Sequence, residues 1–393
     1  MKKQLEKISI LSLSLMLVST FSPSSALPQM IAFFKAQGIK ASQVEFLFSL
    51  SSFAVLVILL LTPLLDRFFS EKTMIILGLL LIAFGGSMPL FAQKYYLVYL
   101  SRIILGFGIG FINARAISII SENYRGAERM QMLGIRGSVE ILGNAVLTAI
   151  VGLVLSFGWS TAFAIYLFAL PILIFYLLYA PTNAPKKVLK VAKISKASFT
   201  KRELAIVIAL ALLAGFAINV NSANTLRIPT LITSLGLGSA SQASFILSIM
   251  MLMGIVAGIC FGGLLKRFRI YLIVLSLIFL ACGLTLIAFA QNLFVLSLGA
   301  MISGFLYSII VTTTFSLASE VVEESKIASA TTLILVFCLL GGASVSYVLE
   351  LLDIITPSYV AQIVYAMISL LLAIVVFIGQ AFLTYRKRCC LKK

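Results

Sequence analysis

Three ionisable side chains stand inside long apolar runs of this 393-residue chain: Arg102, Arg115 and Glu140. A charge at the centre of a bilayer costs about 2.5–3.5 kcal/mol on insertion scales, so each marks a place where an ion, a proton or a charged solute is handled. At about 100° per helical residue, Arg102, Gly106, Ile109 and Asn113 share one helix face, and Arg115, Ser118 and Glu122 share another, roughly opposite. The two arginines therefore have different tasks. Arg102 and Asn113 suit a polar lining that holds an anionic group or biases proton release; the competing reading has Arg102 snorkelling toward the outer headgroups. Glu140, the only carboxylate well inside a run, suits a proton carrier working with Arg102. The alternative is a structural acid held by Arg115 or Arg136.

Asn219, Asn221 and Asn224, followed by Arg227 and Pro229, close another apolar run. Asparagine is a weak helix former, and it is costly in lipid unless it faces water, protein or ligand. The cluster reads as a set of polar substrate contacts, Arg227 included, at an outer helix end bent by Pro229. Polar packing between helices is the alternative.

These side chains need helices to position them. Hydrophobic residues make up 61% and charged residues 11% of the chain, against about half and about a quarter in soluble proteins. Twelve stretches approach the ~20 residues that cross hydrocarbon: roughly 8–30, 44–65, 73–92, 97–119, 134–156, 159–179, 204–227, 241–264, 271–290, 294–318, 329–349 and 360–384. Backbone groups in lipid must be satisfied within a segment or a closed barrel, and runs this long and unalternating are helices. The fold class is an all-α membrane protein of twelve transmembrane helices.

The chain is also written twice. Ala41-Ser42-Gln43 returns as Ala240-Ser241-Gln242, Ala92-Gln93 as Ala290-Gln291, Gly106-Phe107 as Gly304-Phe305, and Ser121-Glu122 as Ser319-Glu320, at offsets of 198 or 199. This gives a six-helix half over 1–180, a basic linker over 181–203, a second half over 204–385 and a tail over 386–393. Lys2-Lys3 followed by an apolar run and Ser24-Ser25-Ala26 has the look of a cleavable signal. Removing it leaves eleven spans and breaks the two-fold correspondence, so it is read as the first span. Span one is interrupted at Ser22-Pro23-Ser24 as span seven is at Pro229, and interrupted segments at matching places in two halves point to a solute site at the repeat interface. The linker, with Pro181, Pro185 and seven Lys/Arg residues, has a solvated composition; a surface amphipathic helix is the alternative.

The net charge of +17 is a matter of topology. With the N-terminus inside, 24 of the 30 Lys and Arg residues fall on the inner side, and only Lys35, Lys40, Lys94 and Arg227 fall outside. The positive-inside bias places both termini in the cytoplasm, and nucleic acid is not the expected partner. Histidine is absent, and the five cysteines have no metal or disulfide spacing. No nucleophile–histidine pair and no phosphate-binding loop can be built, so neither an enzyme nor a cofactor is expected. A channel calls for charge rings or a filter loop, and a receptor has no need of a duplicated bundle.

The loop after span two, Thr62-Pro63-Leu64-Leu65-Asp66-Arg67 through Lys72, resembles the Gly-x-x-x-Asp-Arg-x-Gly-Arg-Lys signature of the major facilitator superfamily. Asp66 and Arg67 match, while Thr62 and Phe69 replace the glycines. The second copy, Gly262 through Arg269, keeps glycine and the basic residues, with Lys266 in the place of the acid. Arg102-Ile103-Ile104-Leu105-Gly106 is similar to the family's Arg-x-x-x-Gly pattern in the fourth helix.

The resemblance implies a 6+6 bundle that carries a small organic solute across a plasma membrane by alternating access, as a monomer. It also implies a gating network at the inner ends: Asp66 and Arg67 with Arg115 and Glu122, echoed by Lys266 and Arg267 with Glu320. Span five lacks the proline of the drug exporters' signature, which weakens a drug-efflux assignment. The expectation is nonetheless proton-coupled efflux of small amphipathic compounds, with uptake or exchange of an anionic or polar metabolite as the alternative.

Overall fold

The computed structural model describes residues 2–17, 19–180, 199–355 and 361–390. The apolar runs become helices, as the need to pair every backbone group in lipid requires. In chain order these are α1, a bent pair (Gln4–Met16 and Ser19–Lys35), α2 (Ala41–Leu65), α3 (Glu71–Phe91), α4 (Tyr95–Asn123), α5 (Gly126–Val154) and α6 (Trp159–Tyr179). They continue as α7 (Lys201–Ser234), α8 (Ala240–Phe268), α9 (Leu272–Ala288), α10 (Leu293–Val321), α11 (Ile327–Ile355) and α12 (Ala361–Cys390). Among the described residues ten are long and apolar enough to span a membrane, the bent pair makes up to an eleventh, and the 17-residue α9 is a shorter apolar helix that completes twelve. The basic linker residues 186–196 and the terminal Lys392 and Lys393 lie outside the described residues.

The repeat reappears in the helix boundaries. α4 and α10 are both 29 residues long; they start at 95 and 293 and end at 123 and 321, 198 residues apart at each end. The repeated Ala-Ser-Gln triplet is a helix start. Gln43 accepts from the Lys40 amide at 3.0 Å, and Gln242 accepts from the Ser239 amide at 2.8 Å. These contacts satisfy amides that have no partner within the helix. Thr200 and Glu203 cap α7 reciprocally in the same way.

The two expected interruptions differ. α1 is broken, its two segments meeting at 48°, with a 3₁₀ stretch over Ser19–Ala26 around Pro23. By contrast, α7 runs as one 34-residue helix through Pro229. Hydroxyls serve the carbonyls around that proline: Thr230 donates to Leu226 O at 3.2 Å and Thr233 to Pro229 O at 3.0 Å. The expected gate break at Pro229 is therefore absent from the helix.

The chain divides into two units. Unit 1 comprises Met1–Ser198, Thr225–Met251 and Gly342–Tyr347; unit 2 comprises Phe199–Asn224, Leu252–Gly341 and Val348–Lys393. The end of α7, the start of α8 and a short piece of α11 thus pack with α1–α6. Within unit 1, Ser49 and Ser346 share a hydrogen bond of 2.6 Å, Ser346 also donates to Glu45 O at 3.0 Å, and Ser241 donates to Gly152 O at 2.6 Å.

Candidate functional site

Arg102 is a fully buried charged side chain on α4. Its guanidinium carbon lies 4.4 Å from the Phe163 ring centre, 5.2 Å from Phe48 and 5.7 Å from Tyr166, within the range where a cation is attracted to a ring face. Nη1 donates to the Tyr166 hydroxyl at 3.2 Å, and that hydroxyl donates to Ser19 O at 2.8 Å. Nε and Nη2 have no hydrogen-bond partner among the described residues. Snorkelling is thereby corrected: the arginine is enclosed in an aromatic cage tied to the broken stretch of α1.

Gly106, one turn along, explains the other half of the Arg-x-x-x-Gly pattern. A Cβ there would meet Ala54 Cβ at 2.5 Å, so glycine lets α4 press against α2. α1 adds polar atoms of its own: the hydroxyls of Ser9, Ser14 and Ser24 are buried without partners among the described residues.

Two other membrane charges are neutralised. Glu140 is not a lone carboxylate; Arg136, one turn back, holds it at 3.2 Å. Arg136 also reaches Asn113 Oδ1 at 3.5 Å, which joins Asn113 to this pair rather than to Arg102. Arg227 is paired with Glu45 at 3.3 Å, both side chains only 4% exposed. Arg227 therefore departs from the expected set of substrate contacts and instead joins α7 to α2.

The asparagines of α7 are spent separately. Asn219 donates to Gly341 O at 2.9 Å and accepts from Tyr365 at 2.6 Å, pinning α7 to α11 and α12. Asn224 donates to Ser303 of α10 at 2.7 Å, with its Oδ1 unpartnered, and Asn221 is half-buried in unit 2. The run does not present one polar face, and for Asn219 helix packing replaces the substrate-contact reading.

Of the expected gating network, the described residues show one ion pair from the first copy and none from the second. Asp66 forms an ion pair with Arg115. Glu122 lies close enough to feel that guanidinium, yet burial pushes its carboxyl above the usual range against the pull of Arg115. Arg67 is exposed. Among the described residues Lys266, Arg267 and Glu320 enter no ion pair; unit 2 instead pairs Lys326 with Glu203 at 3.1 Å. The repeat predicts backbone boundaries well and charge partners poorly, because a single substitution moves a partner without moving a helix.

Sequence reasoning missed Tyr166, Phe48 and Phe163, which carry no polar signal inside apolar runs. Glu45 and Arg227 were separately visible near the same end, and their opposite charges were the available clue.

The profile of the Major Facilitator Superfamily matches residues 10–346. No curated protein sequence matches the chain. Among solved structures, the chain is similar to the POT family transporter PepTSo, with a TM-score of 0.76, 11% identity, and 98% of this chain and 99% of that one covered. A peptide transporter POT gives 0.75 at 13% identity, covering 95% and 93%. The nucleoside transporter NupG gives 0.69 at 18% identity, covering 94% and 98%. At these identities the likeness is one of fold.

Proposed function

Because the chain belongs to the Major Facilitator Superfamily and has the fold of secondary transporters, we propose that it carries a small organic solute bearing an anionic group, recognised by Arg102, across the plasma membrane by alternating access. One observation carries this reading. Among the described residues, the buried cations Arg227 and Lys326 have carboxylate partners and Arg102 has none. A guanidinium with free donors is a ready site for a carboxylate or phosphate, whose oxygens accept from its paired N–H groups. Neighbouring POT structures hold sulfate and 5-aminolevulinic acid, both acidic, which supports a solute of that class. Efflux of cationic amphipathic compounds is the weaker reading, since Glu140, the acid to attract them, is held by Arg136.

The Arg136–Glu140 pair serves proton coupling in this reading. A proton on Glu140 releases Arg136, and its loss restores the pair. In the same reading the Asp66–Arg115–Glu122 group acts as a gate at the end that carries the basic loops, the end that the positive-inside bias favours for the cytoplasm. The test is a strain lacking the gene, screened for uptake and retention of labelled acidic and zwitterionic metabolites and for tolerance of toxic cations. Altered handling of an acidic solute, restored by the wild-type gene and not by Arg102→Gln, is expected. A phenotype confined to cationic drugs and restored by Arg102→Gln overturns the proposal.

A further inference from the structure

An apolar groove of about 450 Å³ lies in unit 2 between α8, α9 and α10, with Leu264, Phe268, Leu275, Phe279, Met301 and Phe305 among its walls. Its floor is firm: Ala257, Leu272 and Ile309 form a buried cluster beneath it. Phe268 and Phe279 are well exposed, so the groove opens on the surface of the unit.

Its length has a natural measure. α10 contributes lining from Leu298 to Ile309, a rise of about 16 Å, close to the ~15 Å of one leaflet of hydrocarbon. At one end sits the turn joining α8 to α9. There Arg267 lies about 60° around the helix from Leu264, on the groove side, whereas Lys266 lies about 200° around, on the far side. Arg269 follows, between the lining residues Phe268 and Leu272, with φ of 43°, the one non-glycine residue at positive φ among those described. Both arginines are exposed and enter no ion pair among the described residues.

We propose that this groove holds one anionic phospholipid, its acyl chain along the apolar walls and its phosphate on Arg267 and Arg269. An apolar channel one leaflet deep fits a chain, and two unpaired guanidiniums at its mouth select a negative headgroup over a zwitterionic one. The site is independent of the solute reading, since it shares no residue with the Arg102 cage.

Native mass spectrometry of the full chain, released from detergent containing equal phosphatidylglycerol and phosphatidylcholine with identical acyl chains, tests it. Wild type is expected to retain one phosphatidylglycerol in preference. R267Q/R269N should reduce that preference by on the order of fivefold per cation, asparagine being tolerant of the left-handed backbone. K266Q should leave it intact, and Met301→Trp, which fills the groove, should lower retention of both lipids. Equal retention of the two lipids by wild type, or an unchanged preference in R267Q/R269N, overturns the proposal. So does a preference lost equally in K266Q, which points to bulk charge attraction.

Discussion

The Glu45–Arg227 pair gives the sharpest quantitative expectation. The two side chains are 3.3 Å apart and each is 4% exposed, so neither has water to replace its partner. Removing one partner of such a pair typically costs about 3–5 kcal/mol, chiefly because the survivor stays buried and charged. The two single variants should not cost the same. A stranded carboxyl neutralises itself by binding a proton, while a guanidinium keeps its charge. Glu45→Gln should therefore sit at the upper end of the range and Arg227→Gln nearer the lower end.

Because the pair joins α2 to the end of α7 inside unit 1, the cost falls on the packing of that end of α7 against α2. At 1.4 kcal/mol per tenfold, even 3 kcal/mol shifts the balance between packed and detached α7 ends by on the order of a hundredfold. Spin labels at the exposed Gln37 and Leu235, read by pulsed dipolar spectroscopy, report the change. The single variants should broaden the distance distribution toward longer values, and the swap Glu45→Arg/Arg227→Glu should recover much of the short population. Distributions unchanged in both single variants would refute the reasoning.

Three further outcomes follow from the same geometry. Tyr166→Phe removes the acceptor of Arg102 Nη1 and the donor to Ser19 O. It should cost about 1–3 kcal/mol in thermal unfolding and raise KM for the acidic solute, whereas a purely structural tyrosine would leave KM alone. Asn219→Ala removes a donor to Gly341 O and the acceptor of the Tyr365 hydroxyl and should lower stability by up to a similar amount with KM unchanged; a KM effect without destabilisation would restore the asparagine as a substrate contact. Burial raises the Glu122 carboxyl above its ordinary value near 4.5, so the folded state binds that proton more tightly than the unfolded one. Its contribution to stability is present below that value and lost as pH rises through the folded one. Glu122→Gln should flatten this slope, and an identical pH profile in wild type and variant would exclude the assignment.

How far the sequence led differs by level. Helix number and order were legible because each span must satisfy its own backbone in lipid, so about twenty apolar residues announce it. The repeat was legible because Ala-Ser-Gln is a capping device whose glutamine does the same task at Lys40 and Ser239. The Asp66–Arg115 pair came through a motif. The Arg136–Glu140 pair stood among the alternatives, because the two residues lie one turn apart on one helix. The partners of Arg227 and Asn219 did not come through, since they depend on which helix faces which, and no spacing encodes that. Arg102 was correctly marked as unusual, but its cage is made of phenylalanines and a tyrosine that look like any lipid-facing residues in a linear reading.

Flux through proteoliposomes with and without Arg102 bears most directly on the central claim. With wild-type protein, an acidic or zwitterionic solute should enter saturably and should exchange faster when the same solute is loaded inside. Arg102→Gln, folded as judged by circular dichroism, should lose that flux, and Arg102→Lys should keep only part of it for want of the planar fork. Solute flux that survives Arg102→Gln unchanged, or ohmic current in place of saturable exchange, would contradict the account.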